Sequence, residues 1–96
     1  MQQYAYMLRL VRPTFISDAT AEERAIVSEH FEHLKRLFAE GIMIHVGRAT
    51  DGSFGLAIFN APDDDAATTL MQRDPVVVKG VMTATLYPYR VVLHGH

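Results

Sequence analysis

The 96-residue chain contains no cysteine. That excludes disulfides and thiolate metal sites, and it fits a cytoplasmic protein. No apolar run approaches the roughly 20 residues needed to span a bilayer, so no membrane partner is expected. The opening Met1-Gln2-Gln3-Tyr4 has no basic stretch ahead of a long apolar one, and no signal peptide is expected. Excess basic charge is missing too. The formal net charge is −2, with both signs mixed along the chain, whereas nucleic-acid binding needs a basic face. There is no phosphate-binding glycine loop, no dinucleotide fingerprint and no serine nucleophile elbow. Repeats, linkers and low-complexity segments are also lacking. The length suits one domain, 1–96, with room for a single core and a thin stability margin, so burial against a second subunit would help.

Hydrophobic periodicity gives the order of elements. Tyr4 to Leu10 is apolar and aromatic, broken only by Arg9, and reads as a strand that Arg12-Pro13 ends. Residues 13–19 read as a loop. Thr20-Ala21-Glu22-Glu23 is a capping box, after which Ile26, Val27, His30, Phe31, Leu34, Leu37 and Phe38 recur at helical spacing up to Gly41. Ile42 to Val46 is a second strand, Thr50-Asp51-Gly52-Ser53 a hairpin turn, and Phe54 to Phe59 a third strand. Asn60-Ala61-Pro62 opens a second helix, with Asp63, Asp64 and Asp65 at its positive end and Ala66, Ala67, Leu70 and Met71 on its apolar face. Asp74-Pro75 ends it. Val76 to Gly80 is one short turn, and Val81 to Leu93 the last strand, with Pro88 marking an edge or bulge.

The order β-α-β-β-α-β predicts an α+β, ferredoxin-like domain: a four-stranded antiparallel sheet with two helices on one face. Both parities of the strands look apolar. Ile42, Ile44 and Val46 point one way and Met43 shares the other side with His45. An uncovered apolar sheet face invites association, and a second copy of the chain is the simplest cover.

Chemistry centres on His30, which sits inside the apolar helical stripe where a hydrocarbon would pack more cheaply. One reading is a core histidine satisfied by a nearby carbonyl. The other is an acid/base group oriented by the helix-exit Asp74, which can also cap the next turn. His45 is either a second pocket histidine or a polar residue at a dimer seam. His33 reads as a solvated flank. Arg9 and Arg48 either greet an anionic substrate or are solvated strand ends. Tyr4, Tyr6, Tyr87 and Tyr89 read as core or interface aromatics. His30, His33 and His45 do not make a ligand motif, and the terminal His94-Gly95-His96 is a weak one, so no metal is expected.

The stretch His30-Phe31-Glu32-His33-Leu34-Lys35-Arg36-Leu37-Phe38-Ala39-Glu40-Gly41 resembles the first helix of the YciI-like (YCII-related) proteins. Ile42 to Gly47 resembles the family strand that ends in Gly-Pro, although Arg48 replaces the proline and alters the pocket wall. Asp74-Pro75-Val76-Val77-Val78-Lys79-Gly80-Val81 resembles the family's Asp-Pro-hydrophobic-Gly signature. The resemblance implies a dimeric α/β-barrel, with His30 and Asp74 as the proposed active-site pair. One family branch is a dehydrochlorinase acting on a chlorinated hydroxyquinol. The expectation is a small enzyme without a cofactor, His30 and Asp74 acting by general acid/base catalysis, that eliminates or isomerises a small, partly apolar substrate, aromatic ones included, with Arg9, His45 and Arg48 as substrate-binding candidates. The alternative is a non-catalytic small-molecule binding or regulatory module on the same scaffold. A cofactor-free oxygenase of the related barrels is less favoured, for want of a motif.

Overall fold

The structure, a computed structural model, describes residues 1–95. His96, and with it the end of the His94-Gly95-His96 pattern, lies outside the described residues. The strands β1 (Gln2–Leu10), β2 (Met43–Arg48), β3 (Gly55–Ala61) and β4 (Met82–Pro88) form one antiparallel sheet in the order β2-β3-β1-β4. Between them come α1 (Phe15–Asp18), α2 (Ala21–Ala39), α3 (Asp64–Gln72) and α4 (Pro75–Val78). This is the ferredoxin-like βαββαβ plan, with two short helices added. Among the described residues, no helix is long and apolar enough to cross a membrane.

The capping box forms as the sequence dictates. Glu23 N–H donates to Thr20 Oγ1 at 3.1 Å, and Thr20 N–H donates to Glu23 Oε1 at 2.9 Å. Gly41 ends the helix with φ of 77°, a region costly for residues with a Cβ. The inner sheet face carries Tyr4, Tyr6, Leu8, Ala57 and Phe59, which pack against Leu34, Ala67 and Val76 of the helices. Phe59 lies between the two tyrosine rings, with centroids 5.9 Å from Tyr4 and 5.7 Å from Tyr6.

Four details differ from the sequence expectation. The segment 13–19 is not all loop. Arg12 donates to Asp18 and, through two nitrogens, to Glu23, while Thr14 Oγ1 donates to Asp18 Oδ2. These bonds fold α1 and drive Phe15 into the core. Secondly, β3 runs on through Asn60 and Ala61, which pair with Gln3 and Gln2, so α3 starts after its true N-cap, Asp63. Thirdly, β4 ends at Pro88, which has no N–H to continue a ladder, well short of Leu93.

The fourth difference is a bulge in β2. Met43 pairs with Phe59, but the next paired residue is His45, opposite Ile58. The extra residue, Ile44, reverses the alternation. Val46 and Arg48 therefore share the helix-covered face with Met43, while His45 and Gly47 join Ala5, Met7, Leu56 and Ile58 on the outer face. That outer face has an apolar centre but a polar flank of Gln3, Asn60, Arg9, Thr83 and Thr85. It is not the uniformly apolar surface expected. Residues 89–94 run beside Ile44, His45 and Ile58 on this side. They are held where the Tyr89 and Val91 amides donate to Gln3, at 3.1 and 2.9 Å.

Candidate functional site

His30 and Asp74 meet. α2 presents His30 to the sheet, and Asp74 caps α4 from below it. The His30 Nδ1 to Asp74 Oδ1 distance is 2.6 Å. Asp74 is wholly buried and His30 is 6% exposed. A buried carboxylate is costly unless donors surround it, and three do so. Tyr6 donates its hydroxyl to Oδ2 at 2.7 Å, Val76 N–H donates to Oδ1 at 3.2 Å, and the imidazole supplies the third. Asp74 thus caps α4 and holds His30 with the same carboxylate.

Each of the three parts comes from a local sequence reason. Asp before Pro75 takes extended backbone, φ −63° and ψ 128°, which turns its side chain back onto the first turn of α4. His30 falls on the α2 face that also buries Leu34, four residues on. Tyr6 alternates with Tyr4 and Leu8 on the inner face of β1. Burial, then the charge and hydrogen bond of Asp74, pushes the Tyr6 phenol far above its usual range. Tyr6 is accordingly a standing donor.

With Nδ1 committed to Asp74, Nε2 is the imidazole nitrogen left for a molecule beside the ring. His30 forms part of the wall of a cavity of about 340 Å³ between α2, the α1 segment and the β2–β3 hairpin. Leu8, Phe15, Leu34, Phe54 and Met82 make most of it apolar. Gly55 opposes both Leu8 and Arg48 in the ladders, and its missing side chain leaves the sheet floor open between them. At the mouth Ile16 leans over Gly52 so closely that a Cβ there would meet Ile16 Cδ1 at 2.4 Å. Phe31 flanks the histidine, with ring centroids 5.4 Å apart.

Of the three further candidates, only Arg48 borders this cavity. Arg9 lies on the outer face because β1 alternation sets it opposite Leu8 and Leu10; its guanidinium rests 6.0 Å from the Phe54 ring centroid and donates to Met7 Sδ. The Ile44 bulge puts His45 on that outer face as well, beside residues 89–94. Neither is brought together with His30. His33 corrects another expectation: it is half-buried, not solvated, and its Nε2 is shielded with no hydrogen-bond partner. Desolvation holds its imidazole below the usual value, against the pull of Asp74. Tyr6 is the site residue that sequence reasoning places only in the core. Its one signal is a hydroxyl on an inward strand position, which needs a buried acceptor. Among the described residues no three His, Cys, Asp or Glu side chains gather as a metal site would require.

The fold is shared with solved structures. Muconolactone isomerase superposes with a TM-score of 0.73 at 17% identity, over 98% of this chain and 95% of that one. The 5-chloro-2-hydroxyhydroquinone dehydrochlorinase of Burkholderia phenoliruptrix AC1100, solved in complex with 2,5-dihydroxybenzoquinone, gives 0.68 at 15% identity, over 91% and 93%. At such identities the likeness is one of fold, the α+β plan of a four-stranded antiparallel sheet covered by helices. No curated protein matches the sequence. The YCII-related domain, by contrast, matches residues 7–88, and the chain belongs to that family.

Proposed function

We propose that this chain is a small enzyme that needs no cofactor and eliminates or isomerises a small ring compound by general acid/base catalysis. The observation that carries the reading is the buried 2.6 Å His30–Asp74 contact at the wall of an apolar cavity. In the forward step Nε2 of His30 takes a proton from a carbon of the substrate, and the C–H electron pair becomes part of a new double bond. In an elimination the leaving group departs from the neighbouring carbon with its bonding electrons. In an isomerisation the imidazolium returns the proton to a different carbon. Asp74 stabilises the imidazolium and fixes its orientation, and Tyr6 and the Val76 amide hold Asp74. Such proton transfer contributes a factor of about 10²–10⁴ in rate. Both fold neighbours bear the names of enzymes of these two reaction types, an isomerase and a dehydrochlorinase.

The test is proton exchange. Unsaturated lactones and chlorinated hydroxyquinols are incubated in D₂O, and loss of carbon-bound hydrogen is followed by NMR. Exchange or turnover by the wild type that vanishes in His30→Gln supports the reading. Equal rates in the two proteins would reduce the site to a binding pocket.

We also infer that the chain works as a cytoplasmic homodimer paired through the outer sheet face. Tyr87, Tyr89, Val92 and Leu93 are exposed on or beside the apolar centre of that face. Apolar area is worth about 25 cal/mol per Å² when removed from water, which favours pairing. Light scattering at micromolar concentration should give twice the monomer mass, and a stably folded monomer would overturn the dimer.

A further inference from the structure

The cavity wall has two titratable side chains, His30 inside and Arg48 at the mouth, and no carboxylate. Asp74 is wholly buried behind His30 with both oxygens engaged. Arg48 is the strand-end residue on the covered face of β2, put there by the Ile44 bulge. Among the described residues its guanidinium enters no ion pair, whereas Arg12 is held by both Asp18 and Glu23. Across the ladder stands Gly55, which offers no side chain to fill the space next to Arg48. A free, always-charged planar donor thus borders an otherwise apolar hollow. The volume of about 340 Å³ lies at the low end for ligand pockets, the size of a single-ring molecule.

We propose that the ligand of this cavity is a monoanionic ring carboxylate, its two oxygens paired with the Arg48 guanidinium and its ring against Leu8, Phe15 and Phe54. The assignment deepens, and rests on, the reading of the cavity as the site of His30 chemistry. The guanidinium fork matches a carboxylate in two parallel hydrogen bonds. A cationic ring would meet repulsion at the mouth and no accessible carboxylate within. A neutral ring would gain the apolar contacts and leave Arg48 to water. Anchoring at the mouth sets the rest of the ring toward Nε2 of His30, where a proton can be taken.

Three probes of one shape separate these cases: benzoate, benzamide and benzamidine, an anion, a neutral molecule and a cation. Each is titrated into the protein while backbone amide shifts of residues 46–57 are followed by NMR. Benzoate should bind about ten-fold or more tightly than benzamide, with benzamidine weakest. Arg48→Gln should bring benzoate down to the benzamide level and leave benzamide unchanged. Arg73→Gln, at the end of α3 and outside the cavity lining, should keep the full preference. Equal binding of the three, a preference that survives Arg48→Gln, or no response to any probe at its solubility limit would each overturn the proposal. Failure of the acid/base reading is seen separately, as wild-type exchange unaffected by His30→Gln. The charge preference is read from binding alone, so the two failures are told apart.

Discussion

Tyr6 donates its hydroxyl to Oδ2 of Asp74 at 2.7 Å, the carboxylate oxygen that His30 leaves free. The two residues are 68 positions apart in sequence and wholly buried. Removing the hydroxyl leaves a buried acceptor without its donor. Tyr6→Phe should therefore cost about 1–3 kcal/mol in denaturant unfolding. It should also lower any His30-dependent proton exchange, because Asp74 is then fixed only through Oδ1. Unchanged stability and unchanged exchange together would show that Asp74 is held well enough by the Val76 amide and His30.

A second prediction concerns acid. Arg12, then the Thr20 amide, holds the Glu23 carboxyl down at about 2, against an ordinary value of 4.5. A carboxyl lowered on folding contributes fully above its unfolded value and loses that contribution as pH falls toward its folded value. The Arg12–Glu23 pair should thus support the fold at neutral pH and fade between about pH 4.5 and 2. Arg12→Gln should be less stable than wild type at pH 7, and the difference should shrink toward pH 2. Asp18, lowered by Thr14 and Arg12, adds in the same direction. Urea titrations of both proteins at several pH values measure this, and a gap that widens on acidification would refute it.

The cavity floor makes a third prediction. A Cβ at Gly55 would find its nearest neighbours at 3.7 and 3.8 Å, ordinary contact distances, and φ there is not in the left-handed region. Gly55→Leu should fold and fill the hollow between Leu8 and Arg48. Its stability should stay within about 1–3 kcal/mol of wild type, while benzoate binding falls ten-fold or more. Undiminished binding would place the ligand elsewhere.

The elements that are legible in the sequence are those with local causes. The capping box at Thr20 to Glu23, Gly41 after α2 and the Asp-Gly turn at 51–52 each follow from neighbouring residues. The contact between His30 and Asp74 is legible through the apolar stripe and the Asp-Pro helix exit, together with the resemblance. Features that depend on distant partners are not. α1 requires Arg12 to reach Glu23 across the turn. The Ile44 bulge is a property of the β2–β3 register, and it decides that Arg48 reaches the cavity while His45 does not. Tyr6 looks like a core aromatic until the far end of the chain supplies Asp74. His33 looks solvated until α4 packs on α2.

The central claim is that Asp74 holds Nδ1 of His30 and leaves Nε2 to act on a ligand. Nitrogen-15 NMR of the imidazole reads the position of its proton directly. In neutral wild-type protein the proton should lie on Nδ1, facing Asp74, with Nε2 unprotonated. In Asp74→Asn, where the amide can donate to Nδ1, it should move to Nε2. A wild-type imidazole already protonated at Nε2, with Nδ1 as the acceptor, would contradict the account.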